Sequence, residues 1–244
     1  MKSSLTSGDF ASLPMVVRQF SHRVSALASA AGLALGACML LAGCTSGPSF
    51  NDSARVGPFF KPHNFHGDTV LPASLHRVLL LPVYAGDVAD QESAVTLDAT
   101  LLSALQKQSR FEVVSLSRTE CQQRFGAPEF SSVAALPHGL LDQLARDYAV
   151  EAVLFIDLTE YRPYRPLGVG FRAKLATVQD VHLIWSFDEA FSATNPEVEN
   201  SARHYYIAQS AGNPSVDMTA SALQSPSRFA AYAADAMFGT LPPR

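Results

Sequence analysis

Between residues 76 and 193 the apolar positions change period several times, and each change marks a predicted element. Val78 to Val83 is a continuous apolar run of strand length, the pattern of a strand buried on both faces. From Asp90 the period becomes helical, with Ala94, Leu97, Leu101 and Leu105 on one face, Asp90 as N-cap and Glu92 in the first turn. Phe111 to Leu116 predicts a second strand, and Ser117 with Glu120 forms a capping box for a short helix ending near Gly126. Leu140, Leu141, Leu144 and Tyr148 share a further helical face, and Glu151 to Tyr161 predicts the third strand. In the next run Val169, Phe171, Ala173 and Leu175 alternate with Gly170, Arg172 and Lys174, as in a half-exposed antiparallel strand. A short link then leads to "HLIWSFDEAFSA", so the two form a hairpin. Asn195-Pro196-Glu197 and Ser225-Pro226 each supply an N-cap and an N1 proline for two closing helices. The second carries Phe229, Tyr232, Ala233 and Ala236 as a stripe and stops at Gly239. The order β-α-β-(α)-α-β-β-β-α-α predicts an α/β fold: a mixed sheet, parallel early and an antiparallel meander late, flanked by helices.

A different pattern precedes this. Val24 to Gly43 carries no charge and follows Arg18 and Arg23. As a helix it would be about 30 Å long, enough to span a bilayer, but its strongly apolar part, Gly32 to Ala42, has the length of a signal-peptide core. The end, Leu41-Ala42-Gly43-Cys44, resembles the bacterial lipobox. The resemblance implies cleavage before Cys44 and a diacylglycerol on its thiol. Two other readings exist. Leu35 to Cys38 is a weaker lipobox-like match whose use would leave an apolar hexapeptide at the new terminus. Gly32 and Gly36 have the spacing of a helix-packing motif in an uncleaved anchor. The turn-rich "TSGPSFNDS" directly after Cys44 favours the first reading.

Met15 would itself start a compact signal peptide. By analogy with sorting in Gram-negative bacteria, Thr45 is no inner-membrane retention signal, which implies a lipid anchor in the outer membrane facing the periplasm. The expected organisation is a signal peptide over 1–43, a lipidated cysteine and flexible tether over 44–75, and a single α/β domain over 76–244. The tether is expected to lie partly on the domain through Phe59, Phe60 and Phe65.

Charge narrows the partners. The chain carries −4, and loss of residues 1–43 removes three basic residues and one acidic one, leaving −6. A nucleic-acid binder needs a basic face, and a polybasic membrane module needs a Lys/Arg cluster; the sequence has neither. With Cys44 acylated, Cys121 is a lone thiol with no disulfide partner, expected to be buried.

"RVLLLPV", a helix, "FEVVSL", and a helix leading into "EAVLFIDLTEY" together resemble the TolB amino-terminal type of domain. The same pattern is seen in curli-secretion lipoproteins and in lipoproteins that activate penicillin-binding proteins. The likeness covers roughly residues 76 to 193, with Asp157 where those domains commonly have glycine. It implies the fold predicted above and an envelope setting; the curli-secretion likeness also implies self-assembly.

Several residues are candidates for function. "YRPYRP" repeats Tyr-Arg-Pro, so Tyr161, Arg162, Tyr164 and Arg165 make an aromatic- and Arg-rich, proline-stiffened loop suited to a partner interface. The alternative is a hairpin connection whose tyrosines lie back on the sheet. Asp157, Glu160, Asp188 and Glu189 gather on strands; acid/base work is one reading, and solvent-side pairs with Arg172 and Lys174 the other. His63 and His66 are bracketed by Pro62 and Gly67 in a loop without a third ligand nearby, and His76, His138, His182 and His204 are isolated. No nucleophile elbow, phosphate loop, zincin or C-x-x-C motif occurs, so no catalytic residue, metal or cofactor is expected. The function expected is a non-catalytic adaptor or assembly factor of a cell-envelope complex, held through Cys44. A self-assembling envelope or secretion subunit is one alternative. The other is a hydrolase or ligand-binding enzyme using the acidic strand residues.

Overall fold

The computed structural model describes residues 52–210 and 222–244. Its centre is a six-stranded mixed sheet. The strands are β1 (Phe65–Gly67), β2 (Arg77–Leu80), β3 (Glu112–Ser115), β4 (Ala152–Arg162), β5 (Gly168–Thr177) and β6 (Leu183–Ser192), in the order β1-β6-β5-β4-β2-β3. β2 is parallel to both β3 and β4, whereas β4, β5 and β6 form the antiparallel meander. The helices are α1 (Ser53–Val56), α2 (Gln91–Lys107), α3 (Arg118–Phe125), α4 (Leu140–Tyr148), α5 (Pro196–Gln209) and α6 (Pro226–Phe238). The mixed α/β fold is thus the one the sequence predicts.

The caps explain where the helices begin. Asp90, Ser117, Asn195 and Ser225 each accept a backbone N–H of the first turn, as their residue types and positions predict. Gly126 ends α3 with φ of +77°, a left-handed conformation that glycine adopts without strain.

The sheet separates two cores. On one face Leu80, Ile156, Phe171, Trp185 and Phe187 pack beneath α2, α5 and α6. On the other, Leu79, Val153 and Phe155 pack against Cys121 of α3 and Leu144 of α4. Burial pushes the Cys121 thiol up to about 11, so it is an inert core residue. The second core reaches only the β2 and β4 side. Beyond it, β5 and β6 present Arg172, Lys174, Ser186 and Asp188, all partly exposed, as antiparallel strands with one wet face do.

One expectation is corrected. Residues 52–75, expected to be flexible tether lying partly on the domain through Phe59, Phe60 and Phe65, do meet it at those three positions, but they are also fixed to it through Ser53, Ala54, Leu71 and Leu75. In α1, Ser53 donates to Asn200 at 2.8 Å, and the Ala54 carbonyl lies 2.9 Å from His204 Nδ1. Phe60 N–H donates to Ser201, and the Phe60 ring meets Phe191 edge-on. β1 then pairs with β6, and Leu71 and Leu75 enter the main core. The turn-rich composition was a poor guide because these residues satisfy their backbone groups with side chains of α5 and with one short strand rather than by a periodic element.

The far end of β1 is held by a charged contact. His182 Nε2 lies 2.9 Å from Asp68 Oδ2, and this hydrogen bond, aided by the carboxylate's charge, raises the histidine pKa above its usual value. A raised histidine pKa contributes stability that is present below the unfolded value near 6.5 and lost as pH rises through the folded one. NMR titration should therefore find His182 above 6.5, and Asp68→Asn should return it to the ordinary value.

Candidate functional site

β4 and β5 are joined across Pro163 to Leu167, and the structure gives the four residues predicted for partner binding different jobs. Tyr161, still in β4, is half-buried and packs against the main core. Arg162 Nε donates to Glu160 Oε1 at 2.5 Å, and its Nη2 donates to Ser192 at 3.0 Å. Arg165 Nε donates to the Leu223 carbonyl at 3.1 Å. At the loop's end Leu167 is buried, and its carbonyl accepts Ala193 N–H at 2.8 Å. Both guanidiniums therefore brace the loop against β6 and the segment before α6. Arg162 and Arg165 remain exposed while making these bonds, and Tyr164 is presented outright, with 84% of its surface exposed. Cys44 lies outside the described residues.

The strand beneath the loop is shaped to fit these braces. A bulge interrupts β4–β5 pairing between Leu158 and Glu160. Opposite it, a Cβ at Gly170 would meet Thr159 Oγ1 at 2.5 Å, and one at Gly168 would meet the Arg162 guanidinium at 2.7 Å. The two glycines let the Arg162–Glu160 pair lie flat over the neighbouring strand, a close approach that was not read from the alternation.

The acidic strand residues do not form one site. Asp157 is 4% exposed, and its carboxylate accepts Ser132 N–H at 2.7 Å, Ser132 Oγ at 2.9 Å and Ser131 Oγ at 3.1 Å. It stands opposite Arg172 in register but ties the 131–133 loop to the sheet, so a solvent-side pairing is wrong for this residue. Asp188 does pair with Arg172 at 2.8 Å, while Lys174 donates to the Ser132 carbonyl. Glu189 binds the N-terminal arm through His63 N–H, His63 Nδ1 and Asn64 N–H. His66 is exposed on β1, opposite Ser186. Among the described residues no group of three or more His, Cys, Asp or Glu is placed to hold a metal ion.

A cluster that the sequence did not reveal lies at the carboxyl ends of β2 and β3. The chain leaves β2 for α2 on one face and β3 for α3 on the other, so a crevice opens between the two strands, the usual place for a ligand in an open α/β sheet. A groove of about 430 Å³ lies there, bordered by Pro82, Val95, Leu102, Ser115 and Thr119. Arg118 closes it. Its Nε donates to Asp98 at 2.6 Å, Nη2 to the Val83 carbonyl at 2.6 Å, and Nη1 to Glu129. Asp98 also accepts Val83 N–H, and Glu129 accepts Ala85 and Gly86 N–H. Burial raises the Asp98 pKa despite the guanidinium's opposing pull. Every guanidinium nitrogen is used internally, so the triad fixes the segment after β2 rather than offering a free cation.

No protein-family model matches the chain, and no match is found among curated proteins. Among solved structures, the chain is similar to lipoprotein GNA1162 from Neisseria meningitidis, with 17% identity over 57% of this chain and 96% of that one, TM-score 0.41. It is similar to the PelC dodecamer from Paraburkholderia phytofirmans, with 11% identity over 73% and 95%, TM-score 0.40. The LpoB C-terminal domain from Salmonella enterica is similar at 19% identity over 50% and 86%, TM-score 0.33. Likenesses this weak say nothing of activity, substrate or partner.

Proposed function

We propose that this chain is a bacterial cell-envelope lipoprotein, cut before Cys44, lipidated there, and held at the outer membrane facing the periplasm. Its α/β domain acts as a non-catalytic adaptor that engages an envelope protein through the Tyr164 loop. The observation that carries the contact site is Tyr164 itself: a large aromatic side chain at 84% exposure on a backbone braced by Arg162 and Arg165. An anchor already held in place loses little conformational entropy on binding, and tyrosine is enriched among residues that dominate interface energies.

The anchor adds reach and concentration. Only seven residues lie between Cys44 and Asp52, which begins the described domain, so the leash spans at most about 29 Å. A partner must come to the membrane surface, where tethering raises its effective concentration.

The membrane-crossing hairpin that a secretion-type subunit would use is not favoured at β5–β6, whose Phe171, Leu175, Trp185 and Phe187 are buried in the main core.

The test is a photo-crosslinking residue at position 164 in native membranes, with Cys44→Ala as comparator and mass spectrometry of residue 44. One dominant heterologous adduct, lost when Cys44 is replaced, is expected. A ladder of self-adducts would replace the adaptor with a self-assembling subunit, and an unmodified Cys44 without adducts would remove both anchor and contact. Tyr164→Ala should abolish the partner while changing folding stability by less than about 0.5 kcal/mol, as surface substitutions do.

A further inference from the structure

Away from the Tyr164 loop, a pocket of about 470 Å³ opens between the N-terminal arm, α5 and α6. That is within the range of about 300–1,000 Å³ common for small-molecule sites. Phe59, Phe60 and Tyr205 give it aromatic walls. At its rim Lys107 binds Asp235 at 2.8 Å and lies 4.8 Å from the Tyr205 ring centre, while Lys61 has no ion-pair partner among the described residues.

The most buried of the lining side chains is Tyr232, 4% exposed. Among the described residues its hydroxyl has no hydrogen-bond partner. Burial raises the phenol to about 12, and Ser201 nearby opposes this in part, but no hydrogen bond of ordinary geometry joins the two hydroxyls. Leaving a hydroxyl unpaired beside aromatic rings is unfavourable where phenylalanine would pack as well. The ring itself is well used, meeting Phe191 edge-on and Tyr205 and Phe229 at an angle, so its packing accounts for an aromatic residue but not for the oxygen.

We propose that this pocket is a binding site for a small carboxylate with a flat apolar body. The body lies against Phe59 and Tyr205. The carboxylate reaches inward to accept from the Tyr232 hydroxyl, and Lys61 balances its charge from the rim. A neutral ligand of the same shape would leave Lys61 without a role, and a cation would meet two lysines against one Asp235. The site is independent of the proposed adaptor contact, since none of its residues belongs to the Tyr164 loop.

The probe is para-fluorobenzoate, followed by fluorine NMR on the full chain in nanodiscs, with para-fluorobenzyl alcohol as the neutral control. The wild-type chain should bind the carboxylate. Tyr232→Phe should weaken it about tenfold while raising the melting midpoint of the ligand-free protein, because an unpaired buried hydroxyl has gone. Lys61→Gln should weaken the carboxylate several-fold and leave the alcohol unchanged. Three results would each overturn the site: no binding to wild type, equal binding to Tyr232→Phe, or a lower midpoint for that variant, which would mean the hydroxyl is satisfied in solution by water or Ser201.

Discussion

Asp157→Ala is expected to lower folding stability by about 3 kcal/mol in urea unfolding, and to release the 131–133 loop. The carboxylate accepts three hydrogen bonds there, one of them from the Ser132 backbone. Alanine leaves that N–H and two hydroxyls without their acceptor, and the hydroxyls can turn toward water only if the loop lifts. The loop also carries the Ser132 carbonyl that accepts Lys174, so the loss spreads to β5. Asp157→Asn separates structure from chemistry: its amide oxygen still accepts Ser132 N–H, and a serine hydroxyl can rotate to accept from the amide. That variant should lose only about 1 kcal/mol and keep the Tyr164-dependent partner. A well-folded Asp157→Asn protein that has lost its cellular function would instead revive the reading of the acidic strands as catalytic.

The element order was legible because it rests on local signals. Asp90, Ser117, Asn195 and Ser225 cap where their types demand, and the change from the unbroken run at Val78 to the alternation at Val169 separates the strand buried on both faces from the half-wet one. The arm over 52–75 was legible only at Phe59, Phe60 and Phe65. β1 is three residues long, all exposed, and its place beside β6 follows from contacts with residues more than 100 positions away. The candidate surface divides the same way. Composition marked Tyr161 to Pro166, yet the separation of Tyr164 from its bracing neighbours depends on Ser192 and Leu223, which no local pattern links to the loop. Asp157 read as a solvent-side carboxylate because alternation assigns a face, not the loop that covers it. The Arg118 triad and the pocket at Tyr232 draw on residues from three or more separate elements, and neither leaves a periodic trace.

Arg118→Met should lower stability at neutral pH by about 3 kcal/mol, as much as Asp157→Ala. Only 11% of the Arg118 side chain is exposed, and its removal leaves Asp98 and Glu129 facing each other without a counter-charge. That figure is the lower end for breaking a buried pair, because both carboxylates retain some contact with water. The pH dependence identifies the cause. Burial already raises the Asp98 pKa, and the guanidinium is what restrains it. A carboxyl whose folded pKa exceeds its unfolded value contributes stability that is full below the unfolded value near 3.9 and lost as pH rises through the folded one. Without Arg118 that folded value climbs further, so the deficit of the variant should be largest at neutral pH and shrink steadily on acidification. Adding Asp98→Asn to Arg118→Met should recover much of the loss at pH 7 and flatten this dependence, since the charge that needed compensation is gone. A deficit that stays the same from pH 7 to pH 4 would instead mean that the guanidinium acts through packing and its bond to the Val83 carbonyl, not through charge.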